Sequence, residues 1–330
     1  MKRRTIFTSL LVAFLFLGCG GTPEDAAPGD LADEGARGAA DGAASAGERE
    51  SRELAISGYQ DILDLFEELN YTPEAWQAGI REVPRVYLTA VGDRWREQTV
   101  KEITVLLKKR LFFRALAPLV LRSNERILQE RERLGRIRES GSSPGDAAWL
   151  SELAMRYDVA ETADQAITPE MLDELWVRVD VIPVSLALSQ AAEESGWGTS
   201  RFAGQGNALF GQWTWGEHGM APDKQRQELG NYGIAAFETP FQSVVAYMLN
   251  LNTHAAYADL RARRAAARKR GEEPTGRDLA LGLSRYSERG EGYVRSLHAL
   301  MEFNRLEPAD DAYLSDGPAI YLVPATAPAD

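Results

Sequence analysis

Three Thr-Pro pairs, Thr72-Pro73, Thr168-Pro169 and Thr239-Pro240, set the fold class of this chain more firmly than any other feature. A threonine hydroxyl caps the free N–H groups of a helix start, and proline at the first helical position costs no hydrogen bond. After Thr239, Gln242 completes a capping box, and Phe241, Val244, Val245, Met248 and Leu249 follow at helical spacing. Ile62, Leu63, Phe66 and Leu69 trace an earlier apolar face, and Pro183 opens a further helix striped by Val184, Leu188 and Ala191. A long helical stretch is predicted from about Glu97 to Glu139, kinked or interrupted at Pro118. Its second half, Asn124 to Arg138, alternates acids and bases and reads as a solvated face. The basic run Arg261 to Arg270 reads the same way. Only the stretch from about Gly196 to Phe237 lacks a helical period; it reads as loops and a short hairpin, with Tyr232 to Phe237 as a strand. The chain is therefore expected to be mainly α with a small β insertion.

Composition narrows the chemistry. The chain has 49 acidic against 37 basic residues and a formal charge of −12, which argues against nucleic acid as a partner. One cysteine excludes a disulfide framework and a cysteine zinc site. His218, His254 and His298 are scattered and form no recognisable ligand set, so no metal or cofactor is called for. Carboxylate, amide and aromatic chemistry remain.

The N-terminus reads as an address. Lys2, Arg3 and Arg4 precede a short apolar run, Ile6 to Leu17, that has the length of a signal-peptide core rather than of a spanning helix. It ends in Leu17-Gly18-Cys19, which resembles a bacterial lipobox and implies cleavage before Cys19 and lipidation there. Gly20 in place of aspartate points toward outer-membrane sorting. Residues 19–55, rich in alanine, glycine and acids, read as a disordered tether, and the Pro/Ala/Asp-rich stretch 306–330 as a loose tail.

Residues 183–198, PVSLALSQAAEESGWG, carry the candidate chemistry. Gly196 is placed to end the helix in a left-handed conformation, which puts Glu194 in the last turn beside the buried face. There the negative end of the helix dipole and partial burial both favour a protonated carboxyl, the state a general acid needs near neutral pH. Trp197 is a candidate apolar wall. Taken alone, Glu193-Glu194-Ser195 describes a solvated helix end better than a catalytic acid, and the helix-end argument by itself does not overturn that.

The motif Ser189-Gln190-Ala191-Ala192-Glu193-Glu194-Ser195-Gly196-Trp197-Gly198, with Asn207-Ala208-Leu209-Phe210-Gly211 after it, resembles the peptidoglycan β-N-acetylglucosaminidase family. Gln212-Trp213, Phe237-Glu238-Thr239-Pro240, Tyr247 to Thr253 and Leu283 to Gly290 are similar to its Bax-like branch, as are Val83 to Leu88 and Pro118 to Arg122. The resemblance implies a lysozyme-like α+β catalytic domain with a small β lobe over residues 166–305, preceded by an all-helical region over 56–165. It implies cleavage of the β-1,4 bond after N-acetylglucosamine in peptidoglycan; the lipobox-like N-terminus adds a lipid anchor, on the periplasmic face of the envelope. Glu194 would be the general acid. A second carboxylate is expected on the β lobe among Glu217, Asp223, Glu228 and Glu238, with Glu228 preferred; a substrate-assisted route needs none. Tyr286 is expected at the reacting centre, and Trp197, Asn207, Phe210, Gln212, Trp213, Tyr232 and Tyr293 along the glycan groove. Two other readings stay open: a lytic transglycosylase on the same fold, and a non-catalytic peptidoglycan-binding lipoprotein.

Overall fold

A computed structural model describes residues 51–325, apart from 144, 216–218, 223–224 and 226–231. The described chain begins with β1 (Arg52–Ile56), α1 (Tyr59–Glu68), α2 (Pro73–Gln77), β2 (Glu82–Val83) and β3 (Val86–Leu88). A π-turn at Trp95–Thr99 and a helical turn at Val100–Glu102 lead into α3 (Val105–Ser140). Next come α4 (Ala147–Arg156), α5 (Pro169–Arg178), α6 (Val184–Ser195) and α7 (Arg201–Gly206). The strands β4 (Trp213–Thr214), β5 (Gly219–Met220) and β6 (Gly233–Ala235) make the small antiparallel lobe, in the order β4-β6-β5. The chain closes with α8 (Pro240–Thr253), α9 (Ala258–Lys269), α10 (Gly276–Ala280), α11 (Glu291–Asn304), β7 (Tyr313–Leu314) and β8 (Ile320–Pro324). The fold is mainly helical with a few small sheets, as the caps and periodicity imply.

All three Thr-Pro starts are as read. Thr72, Thr168 and Thr239 accept from the backbone N–H groups of Ala75, Met171 and Gln242 at 3.1, 3.3 and 3.3 Å. Gln242 Oε1 in turn accepts from the N–H of Glu238 at 2.8 Å and more weakly from that of Thr239. The predicted strand Tyr232–Phe237 is present in shorter form as β6.

Helix α3 runs unbroken through Pro118, contrary to the expected interruption. Leu116 to Leu121 are all buried, so packing on both sides holds the helix where one backbone hydrogen bond is missing. Its charged half is not a solvated face either. Ile127, Leu134 and Ile137 are core residues, while Arg131, Arg133, Arg138 and Glu130 pair with Asp180, Asp146, Asp173 and Arg156 on later segments. Asn124 exchanges two hydrogen bonds with the backbone of Ile182, at 2.8 and 3.1 Å, and so fixes the entry to α6.

The basic run on α9 also departs from the solvated reading. Arg264 is fully buried and Arg261 nearly so. Arg264 donates to the carbonyls of Val177, Arg178, Asp180 and Val181 and to Asn252 Oδ1, at 2.7–3.2 Å. Arg131 donates to the carbonyls of Trp176 and Val179. Two guanidinium groups thus satisfy the carbonyls that the C-terminus of α5 leaves free. The carboxylate of Asp180, itself buried, balances them together with Arg268.

The stretch beyond Leu306 is not a loose tail. Strand β8 lies between β1 and β3 in a parallel three-stranded sheet, and β7 pairs with β2. Ile320 and Leu322 alternate inward, a period-two pattern too short to stand out among the prolines and alanines around it. The region ahead of α3 accordingly includes three strands and is not all helical. Asp310, in the turn between α11 and β7, caps α6: it accepts from the N–H and hydroxyl of Ser185, both at 2.8 Å, and from the N–H of Gly276 at 2.9 Å. Pro183 has no side-chain cap of its own to offer.

Candidate active site

Helix α6 is buried from Val184 through Ala192, so its end is positioned by packing on several sides. It stops where expected. Gly196 adopts φ 57°, ψ 45°, its N–H bonds to Ala192, and Trp197 follows with φ 66°. Ser195 locks the turn: its hydroxyl donates to the Ala191 carbonyl at 2.6 Å and accepts from the Gly198 N–H at 2.8 Å. Glu193 and Glu194 are thereby sent to different surroundings.

Glu193 lies against Arg289, with Oε1 and Nη1 2.6 Å apart. Glu194 faces a layer of tyrosines. Tyr293, on α11, donates to its Oε1 at 2.8 Å. Gln190, one turn earlier on α6, donates to the Tyr293 hydroxyl at 3.0 Å, and Tyr247 on α8 donates to Gln190 Oε1 at 2.6 Å. Tyr286 stacks parallel to Tyr293 at 5.3 Å and donates to the Phe210 carbonyl at 3.2 Å, while Tyr257 packs on its other side at 5.6 Å. The second oxygen of Glu194, Oε2, is out of solvent and has no hydrogen-bond partner among the described residues.

Burial pushes the Glu194 carboxyl up to about 8, and the neighbouring charge of Glu193 adds to the rise. The hydrogen bond from Tyr293 and the charge of Arg289 work the other way and are outweighed. Tyr247, Tyr286 and Tyr293 are pushed well above the ordinary phenol range, first by burial; Glu194 comes next for Tyr286 and Tyr293, and follows Tyr257 for Tyr247. They therefore remain neutral, as donors and acceptors, throughout the range in which Glu194 titrates. A buried acid that holds its proton near neutrality is suited to protonating a leaving oxygen.

Tyr293, expected along the groove, bonds to Glu194, and Tyr286, expected at the reacting centre, stacks on Tyr293. Trp197 does not form its wall. Its ring packs edge-on against Phe112 and Phe113 of α3 at 5.9 and 5.1 Å, under the Lys109 ammonium, because the positive φ turns the chain toward that helix. Asn207 is used up by backbone: it accepts from the Val91 N–H and donates to the carbonyls of Phe237 and Glu238. Phe210 is a core residue stacked on Tyr247 at 3.8 Å. Trp213 and Tyr232 stack on one another at 4.6 Å in the β lobe, with Trp215 beside them and 59% exposed. Gln212 Oε1 is buried there without a partner among the described residues. Glu238 is exposed at the start of α8. Glu217, Asp223, Glu228 and Cys19 lie outside the described residues. Gln190, Tyr247 and Tyr257 were not singled out for roles. The one signal available was Gln190 four residues before Glu194, on the same helix face.

Residues 170–306 match a family model described as mannosyl-glycoprotein endo-beta-N-acetylglucosaminidase. Protein bax of Escherichia coli (strain K12) is 36% identical over 200 residues, which cover 60% of this chain and 70% of that protein. No solved structure matches the chain.

Proposed function

The chain belongs to the Bax-like glucosaminidase family, and from that premise we propose that it hydrolyses peptidoglycan at the β-1,4 bond after N-acetylglucosamine, with Glu194 as general acid. The observation that carries the reading is the setting of Glu194: a carboxyl at the end of α6, with one oxygen held by Tyr293 and the other out of solvent and without a partner among the described residues, where burial favours the neutral form.

In the reaction, the Glu194 proton passes to the bridging oxygen as the bond from that oxygen to the anomeric carbon breaks. The electron pair leaves with the oxygen, which becomes the hydroxyl of the departing sugar. Positive charge grows on the anomeric carbon and ring oxygen. Water then supplies hydroxide to that carbon, and its remaining proton goes to a base. Glu228 is the proposed base or nucleophile; the sugar's own acetamido oxygen is the other route. The exposed Trp215, with Trp213 beside it, offers an aromatic face to sugar rings, the buried Tyr232 backs Trp213, and Gln212 Oε1, without a partner among the described residues, suits an acetamido N–H. The proposal extends to location. Lipidation at Cys19 would hold the enzyme on the periplasmic face of the envelope; no helix of the described residues is long and apolar enough to cross a membrane.

Digestion of purified sacculi by wild type and Glu194→Gln, with mass analysis of the products, tests the reading. Reducing N-acetylglucosamine ends from wild type alone support it. Anhydro-muramic ends would make the chain a lytic transglycosylase, and equal sacculus binding with no cleavage by either protein would make it a binding lipoprotein.

A further inference from the structure

Three hydrogen bonds behind Glu194 form a single chain with a direction. Tyr247 Oη and Gln190 Oε1 are 2.6 Å apart, Gln190 Nε2 and Tyr293 Oη 3.0 Å, and Tyr293 Oη and Glu194 Oε1 2.8 Å. The first distance is short for an N–H donor and ordinary for a hydroxyl, whereas the second is the usual N–H···O distance. The Gln190 amide is therefore oriented with its oxygen toward Tyr247 and its nitrogen toward Tyr293. An amide nitrogen can only donate, so Tyr293 accepts there, and its one proton goes to the acceptor within reach, Glu194 Oε1. An oxygen that already accepts the Tyr293 proton is the poorer place for the carboxyl's own.

We infer that Tyr247 and Gln190 are positioning residues that act through Tyr293, fixing the direction of its hydrogen bond so that a proton carried by the Glu194 carboxyl resides on Oε2. Oε2 is the oxygen with no protein partner among the described residues, so a proton there is committed to no other group among them. The device lies in the core: Gln190, Tyr247 and Tyr293 are all buried, and the Tyr247 ring is clamped by Phe210 at 3.8 Å. Rotation of the amide would break two buried hydrogen bonds together. Among the described residues, the charged or titratable groups facing Glu194 are Glu193 on α6, Arg289 ahead of α11, and Tyr247, Tyr257, Tyr286 and Tyr293 from the packed elements. The account of turnover rests on the proposed function; the direction of the hydrogen bond does not.

The test is a carbon-13 NMR titration of the glutamate side-chain carboxyls in the full chain, with the Glu194 signal assigned by its loss in Glu194→Gln. A donor bond favours the carboxylate over the neutral acid. Removing it in Tyr293→Phe therefore raises the Glu194 midpoint, by about half a pH unit to one unit. A midpoint that falls would show Glu194 donating to Tyr293, and an unmoved one would show no bond; either overturns the inference. Tyr247→Phe and Gln190→Met, with sacculi as substrate, are expected to lower kcat by about threefold to tenfold and to displace the basic limb of its pH profile, with KM within about twofold. Unchanged kcat and limb in both variants, with wild-type thermal unfolding, would remove the positioning role. If wild type cleaves no glycan, the functional reading fails, while the NMR titration still decides the direction.

Discussion

Glu193 and Glu194 are adjacent in the chain and opposite in electrostatic setting: Arg289 lies 2.6 Å from Glu193 Oε1, whereas among the described residues the Glu194 carboxyl is bonded only to the neutral hydroxyl of Tyr293. The last turn of α6 thus separates an ion pair from a proton-holding acid within one peptide unit. Glu194→Gln is expected to lower turnover by about 10²–10⁴-fold, the usual worth of a positioned general acid. Glu193→Gln should retain most of the activity and move the basic limb downward, since Glu193 helps to raise Glu194. Initial rates on sacculi across pH check both.

The same acid should leave a mark on folding. Its folded pKa, about 8, lies above the unfolded value of 4.5. Between those two values the folded protein holds a proton that the unfolded chain has released, so stability falls as pH rises, by up to about 1.4 kcal/mol per unit. Glu194→Gln removes that slope. Urea denaturation at several pH values should show the two proteins closest near pH 4 and the variant increasingly favoured up to about pH 8, beyond which the gap is constant.

Arg264 is expected to be among the most sensitive positions for stability. Its guanidinium serves five acceptors and stands beside buried Asp180. Arg264→Ala would strip those acceptors and leave a buried carboxylate under-compensated, at a cost of about 3–5 kcal/mol. Thermal unfolding measures it, and Arg263→Ala, on the exposed side of the same helix, should change little.

Asp310 links the C-terminal segment to α6, the helix that carries Glu194, because it supplies the cap that Pro183 lacks. Asp310→Ala should cost about 1–3 kcal/mol, the range for leaving buried donors unpaired. Hydrogen exchange should report the loss first at the N–H groups of Ser185 and Gly276.

Much of this was legible because it is local. A threonine ahead of a proline, or a glycine that ends an apolar stripe, carries its structural consequence within four residues. The Thr72, Thr168 and Thr239 caps, the Gly196 stop and the place of Glu194 beside the buried face could therefore be read from spacing. What was missed depends on partners far away in the chain. Arg264 resembles any solvated arginine until Asp180 and the end of α5 are packed against it. Ile320 and Leu322 form a strand only because β1 and β3 flank them. Trp197 faces α3 because of a backbone angle, and Gln190 gains its role from tyrosines 57 and 103 residues away.

The central claim is that Glu194 keeps its proton near neutral pH and delivers it to the glycosidic oxygen. The most direct measurement is the pH dependence of sacculus cleavage by wild type and Glu194→Gln side by side. The account predicts wild-type turnover that declines with an apparent pKa of about 8, and a variant slower by at least about a hundredfold at every pH. A variant that cleaves within a few-fold of wild type, with the same decline, would contradict it.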